Sequence, residues 1–196
     1  MIGRLLRNAA AAAALLALAA CATVTSAPAG PYAAGGHQVT LGRQWSDMSA
    51  VIPGRPKNVR ILSIDGPLLN RLYIADGLRS GEFLVKPMAK ERPTPVWRSG
   101  MSPNEQVEFI ADSVAALDYQ RVETSGLRPA KVGAVDGMRL DISAKTAEGL
   151  EISGLAQVVE SGDRLYLILF LAPGEHYFAA SKAEVEAIMA SAKIGG

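Results

Sequence analysis

Few side chains in this sequence can do chemistry: one cysteine, Cys21, and two histidines, His37 and His176. A metal centre draws three or four ligands at a recognisable spacing, and no acids cluster with either histidine along the chain. No Gly-x-Ser-x-Gly elbow, Ser-x-x-Lys pair, Walker loop or dinucleotide fingerprint occurs. One catalytic arrangement stays open, a hydrolase in which His176 acts as base and Asp163 or Asp141 orients it. The plainer reading of Glu175-His176-Tyr177 is a solvated loop before the last helix. No catalytic, metal-binding or cofactor-binding residue is assigned, and no cofactor is expected. Trp97-Arg98 is the remaining candidate. Exposed, that pair would anchor a protein partner; tucked under its loop, Trp97 would simply pack.

Stepping outward from Cys21, Arg4 and Arg7 form a small basic head before an apolar run from Ala9 to Ala20. As a helix that run is about 18 Å long, whereas a bilayer core of roughly 30 Å needs about twenty residues. It fits the apolar region of an export signal. The four residues Leu18-Ala19-Ala20-Cys21 resemble the lipobox of bacterial lipoproteins. The resemblance implies a signal peptide over residues 1–20, cleavage before Cys21, and diacylglycerol on the Cys21 thiol, with the new amino group acylated (palmitate, for example). The alternative is ordinary secretion with cleavage after Ala22. A lone cysteine can form no intrachain disulfide, and lipidation would consume a thiol otherwise exposed to an oxidising compartment. Ala22, by resemblance to enterobacterial lipoproteins, points to the periplasmic face of the outer membrane.

The 196 residues carry 20 Lys and Arg against 19 Asp and Glu. The leader removes Arg4 and Arg7, leaving eighteen cations facing nineteen acids. That balance offers no footprint for nucleic acid. Aromatic residues make up 6% of the chain, too few for a stacking-based sugar or nucleotide site. Residues 22–36, ATVTSAPAGPYAAGG, bury little apolar surface and read with Cys21 as a lipidated, disordered linker over 21–36. Such a coil would reach about 50 Å at full stretch. The alternative is that Tyr32 docks and orders it.

Residues 37–196 read as a single domain. Val39 and Leu41 alternate in a first strand, His37 to Leu41, and Trp45 plugs the core edge. Val51 to Lys57 is a connector. Asn58 to Asp65 and Leu68 to Ala75 are strands around an Asp65-Gly66 turn. Asp76-Gly77 marks another turn, and Glu82 to Val85 a brief strand. Lys86 to Met101, with Pro87, Pro93 and Pro95, is a long loop of the kind that often carries function. Ser102, Pro103 and Glu105 form a helix start with a capping box, and Val107, Ile110, Val114 and Leu117 share one face. Five extended segments follow: Tyr119 to Thr124, Ala130 to Val135 past Arg128-Pro129, Met138 to Lys145, Leu150 to Val159, and Arg164 to Leu171. The last is apolar on both faces and belongs at the sheet centre. Ser181 and Glu184 pattern as a second capping box before a helix lined by Val185, Ile188, Met189 and Ala192. An antiparallel meander with two amphipathic helices packed on it is α+β.

Gly137-Met138-Arg139-Leu140, the strand Arg164 to Leu169 and the closing helix Glu184 to Ser191 resemble the PsbP-like fold, a group that includes DcrB-type envelope lipoproteins. The resemblance covers about the last sixty residues. It implies an antiparallel sheet flanked by helices and a non-catalytic binding role, and carries over no functional residue. The expectation is a lipid-anchored periplasmic binding or accessory module, attached to the membrane through Cys21 and working with an envelope protein partner. Its rivals are the His176 hydrolase and a small-lipid carrier with an apolar cavity between sheet and helices.

Overall fold

The computed structural model describes residues 24–89 and 91–195. The expected signal peptide, residues 1–20, and Cys21 lie outside the described residues.

Arg164–Pro173 (β10) sets the architecture. Its run Leu167 to Ala172 is buried on both faces, so both sides of the sheet must be covered. Among the described residues, eleven strands and two helices do this. They are β1 (Thr25–Ala27), β2 (Gly30–Ala34), β3 (His37–Leu41), β4 (Trp45–Asp47), β5 (Val59–Ser63), β6 (Arg71–Arg79), α1 (Pro103–Ala115), β7 (Gln120–Val132), β8 (Val135–Lys145), β9 (Glu151–Ser161), β10, a π-helical turn (Gly174–Phe178), α2 (Ala179–Ser191) and β11 (Lys193–Ile194). Eight strands form one sheet in the order β1-β4-β5-β6-β10-β9-β8-β7, every pair antiparallel. A small second sheet has the order β11-β3-β2. The expected α+β class holds, and β10 sits in mid-sheet as its composition requires.

Two apolar layers flank the sheet. On one face Phe109, Ile110 and Val114 of α1, with Leu84 and Trp97 from the loop, pack on Ile61, Tyr73, Leu140, Leu167 and Leu169. On the other, Val185, Ile188 and Met189 of α2 join Val39, Leu41 and Trp45 against Leu62, Leu72, Ile74, Ile168 and Phe170. Between α1 and strands β7 to β9, open cavities of about 340 and 500 Å³ remain, lined by Val107, Leu127 and Leu140 and by Met138 and Val158.

The disordered linker is corrected. Residues 25–34 supply two strands, so the fold includes Thr25 to Ala34 ahead of His37. Low hydrophobicity misleads here because the segment contributes backbone and small side chains. β1 pairs with β4 and β2 with β3, while Ala27 and Ala34 enter the core at 2% exposure each. The Tyr32 hydroxyl donates to Asp47 Oδ2 at 2.8 Å. Burial, then the hydrogen bond to the Asp47 carboxylate, pushes the Tyr32 hydroxyl far above its usual range. Tyr32→Phe is expected to cost about 1 kcal/mol and to speed amide exchange across Gly30–Ala34 selectively. Uniform exchange over the whole domain would contradict local docking.

Other local expectations shift for physical reasons. Asp76-Gly77 is no turn: β6 runs through it to Arg79, and Gly77 takes φ 64° at a bulge facing Leu165 to Leu167. A Cβ there would lie 3.0 Å from Arg164 Cδ and 3.2 Å from the Tyr166 ring. Leu68 sits exposed in the preceding turn. That turn is closed by the Asn70 carboxamide, whose oxygen accepts from Ser63 Oγ and the Ile64 N–H. Glu82 to Val85 is irregular, although Leu84 and Val85 are buried. Arg128-Pro129 does not interrupt β7, which runs thirteen residues along the sheet edge. The Ser181–Glu184 box does not form, because the chain enters α2 earlier through the π-helical turn. Glu184 instead accepts from the Gly42 N–H at 2.8 Å and Trp45 Nε1 at 3.5 Å. The first capping box is present. The Glu105 N–H donates to Ser102 Oγ at 3.3 Å, and the Ser102 N–H to Glu105 Oε2 at 2.8 Å.

Candidate functional site

The long loop straps across α1. Its path starts with a backbone pair in which the Gly81 N–H donates to the Trp97 carbonyl and the Trp97 N–H to the Glu82 carbonyl, both 2.8 Å. Farther along, the Met88 N–H reaches the Ala116 carbonyl at 3.0 Å and Arg92 donates to the Ala115 carbonyl at 2.9 Å. These carbonyls end α1, where the helix leaves acceptors unfilled and favours a cation. Arg92 also lies 3.5 Å from Asp118. The far end is held by Glu160 of β9, which accepts from Ser99 Oγ, the Gly100 N–H and Gln106 Nε2 at 3.0 to 3.3 Å.

Between these fixed ends Pro93-Thr94-Pro95-Val96 bridges α1 and leaves a cavity of about 500 Å³. Met101, Phe109 and Ala116 form its apolar lining, and Arg92 and Arg98 stand with Glu105, Glu108 and Asp112 around it. The Ser102 N–H and hydroxyl hold the exposed Glu105 carboxyl below the usual carboxylate range. Arg98, also exposed, lies 3.9 Å from Glu105. Opposed charges around an apolar floor suit a peptide or other amphipathic ligand better than a bare ion.

The sequence candidates separate. Trp97 is fully buried, so its role as a direct partner contact is corrected: the ring belongs to the core on the α1 face of the sheet. Its indole N–H has no hydrogen-bond partner among the described residues. Arg98 is exposed at the cavity, as a contact residue must be. His176 is exposed in the π-helical turn, edge-on to Tyr177 at 5.1 Å. Asp163 lies just before β10 and His176 just after it, so ten extended residues, about 30 Å, separate them. Asp141 is bonded to Arg128 at 2.9 and 3.2 Å. Neither orients His176. Among the described residues, no three His, Cys, Asp or Glu side chains converge as metal ligands, and no helix is long and apolar enough to cross a membrane.

His37, read above as the first residue of a strand, enters the core. This residue is 1% exposed, and its Nδ1 donates to the Ala75 carbonyl at 2.9 Å, which fixes the tautomer because a carbonyl only accepts. Its backbone N–H donates to Asp76 Oδ1 at 2.9 Å. The ring meets Tyr166 edge-on at 5.7 Å, and Nε2 is left without a partner among the described residues. Burial pushes the imidazole below its ordinary 6.5, only partly opposed by the Ala75 bond and the Asp76 carboxylate. A polar residue opening a short alternating strand signals neither burial nor tautomer.

The cyanobacterial PsbP of Synechocystis sp. PCC 6803 (CyanoP) superposes on 89% of this chain and 94% of its own, with a TM-score of 0.53 and 12% identity. The fold is PsbP-like. The Ran-binding protein Mog1p of Saccharomyces cerevisiae has it too, at a TM-score of 0.51 and 8% identity over 89% of this chain and 96% of that one. LpqN, involved in cell envelope biogenesis of Mycobacterium tuberculosis, is more distant, with a TM-score of 0.39 and 11% identity over 89% and 86%. No protein-family model matches the chain, and no curated protein matches it in sequence. At these identities the PsbP-like likeness establishes architecture and transfers no residue.

Proposed function

We propose that the chain is a non-catalytic accessory protein of the bacterial cell envelope, anchored through lipid on Cys21 at the periplasmic face of the outer membrane. It receives a protein partner in the cavity between the strap and α1. The observation that carries this reading is the cavity itself: an apolar floor of Met101 and Phe109, ringed by Arg92 and Arg98 and by three carboxylates, under a strap pinned at both ends. Mog1p, with the same fold, is a Ran-binding protein, so this architecture serves protein recognition in at least that case. The anchor reading rests on the lipobox resemblance at Leu18 to Cys21.

The test is photocrosslinking in intact cells from probes placed at Thr94 and at Arg98, with a probe at Lys182 on α2 as the comparison. Adducts of one discrete mass from the strap positions, absent from Lys182, are expected. Equal or no labelling from the strap would remove the cavity from the account. Intact-mass analysis of the membrane-extracted chain checks the anchor separately, since an unmodified Cys21 would exclude it.

A further inference from the structure

The ordered start of β1 changes the geometry of the anchor. Only Ala22, Thr23 and Val24 separate Cys21 from Thr25, a reach of about 10 Å in place of a 50 Å tether. A lipid on Cys21 therefore holds the domain against the bilayer, and β1 dictates which end faces it. Thr25 pairs with Asp47 and Asp47 with Leu62, so β1 enters the sheet at Thr25 from the end that contains Val59. Val59 pairs with Ala75, and Arg79 with Arg164, which brings the end of β6 and the start of β10 to that same end. From β1 to β6 is three strand spacings, about 14 Å.

At this end an open cavity of about 460 Å³ is lined by Lys57, Asn58, Asp76, Arg79, Glu82 and Arg164, with Phe83 at its side. Its two acids are half-buried and take hydrogen bonds from neutral donors. Glu82 accepts from Asn58 Nδ2 and the Arg79 N–H at 2.9 Å each, and Asp76 accepts from the His37 N–H. Its cations are freer. Among the described residues neither Lys57 nor Arg79 has an ion-pair partner, and Arg164 has only the exposed Asp163 at 4.0 Å. Arg55, whose guanidinium donates to the Ser49, Pro56 and Val59 carbonyls, adds a fixed charge in the adjoining loop.

Resting on the anchor reading, we propose that this cavity takes the phosphate of an anionic phospholipid headgroup, so that the domain docks with its β6–β10 end on the membrane. Arg79, Lys57 and Arg164 supply the counter-charge.

The mature chain, residues 21–196 carrying Cys21→Ser and therefore no lipid, isolates the headgroup contact from the anchor. It is expected to cosediment with phosphatidylcholine vesicles containing phosphatidylglycerol, to release as sodium chloride is raised, and to ignore vesicles of phosphatidylcholine alone. Adding Lys57→Gln and Arg79→Gln is expected to weaken that partition about twentyfold. Lys145→Gln with Lys182→Gln, at the other end of the sheet, is expected to leave it unchanged. Circular dichroism and melting checks that each variant is folded. Equal binding to neutral vesicles, or full binding by the Lys57/Arg79 variant, would overturn the proposal. So would release by inorganic phosphate at an ionic strength where sodium chloride leaves the protein bound, which would reassign the cavity to a soluble phosphate ester. An unmodified Cys21 beside intact anionic-vesicle binding would sink the anchor and leave the headgroup site standing.

Discussion

Replacing Trp97 with alanine is expected to cost about 3–5 kcal/mol, the usual range for emptying a large aromatic site. For a domain of this size that lowers the melting temperature by about 10 °C. The magnitude follows from position: the ring is fully buried among Leu84, Phe109, Ile110 and Leu165, and its backbone forms the pair that closes the loop onto Gly81 and Glu82. Arg98→Ala, one residue on and exposed, should stay within about 0.5 kcal/mol. Trp97→Phe retains most of the packing and no longer buries an unpaired indole N–H, so its cost should fall to about 1 kcal/mol. Thermal denaturation of the three variants decides. An unshifted Trp97→Ala melt would show that the ring is not part of the core. The contrast also explains why the crosslinking probes belong at Thr94 and Arg98: loss of binding on truncating Trp97 would report a collapsed strap.

Stability should fall as the pH is lowered from 7 to 5, with His37 contributing to the loss. The sign follows from the imidazole being held below its ordinary 6.5 in the folded state. Below that value the unfolded chain takes up a proton that the buried ring resists, so the stabilising contribution is present above 6.5 and is lost as pH falls. The limiting slope is about 1.4 kcal/mol per pH unit. The groups facing the ring are the Asp76 carboxylate, which eases protonation, and the Tyr166 ring, which offers Nε2 no acceptor. His37→Asn keeps a donor for the Ala75 carbonyl and removes the titration. Denaturant titrations from pH 7 to 5 should therefore slope more steeply for the native chain than for the variant. Parallel slopes would place the linkage elsewhere.

The elements read correctly from sequence are those in which local and long-range preferences agree. Ser102, Pro103 and Glu105 satisfy the orphan donors of α1 whatever packs on it, and Arg164 to Leu171 has no polar face to turn outward. The misread elements depend on partners distant in sequence. Ala27 and Ala34 look like linker because an alanine declares burial only when a neighbouring strand covers it. Gly77 looks like a turn because positive φ serves bulges as well as hairpins. Glu184 looks like a capping residue until Gly42 and Trp45, some 140 positions upstream, claim its carboxylate. The candidate sites divide the same way. The proline loop stood out by composition, but whether Trp97 faced solvent or core was a tertiary question. The Lys57, Arg79 and Arg164 cluster is assembled from three segments that β5, β6 and β10 bring together, so no spacing in the chain could announce it.

The edge strand β7 bears on how copies of the protein behave together. Its thirteen residues leave a row of backbone donors and acceptors without a neighbouring strand among the described residues, a length that ordinarily invites pairing with another molecule. Two register breaks, with positive φ at Arg121 and Gly126, and the non-donating Pro129 keep that row from being straight or continuous. Molecules crowded side by side therefore meet no ladder they can extend, and the chain can accumulate at high local density without zipping into fibres.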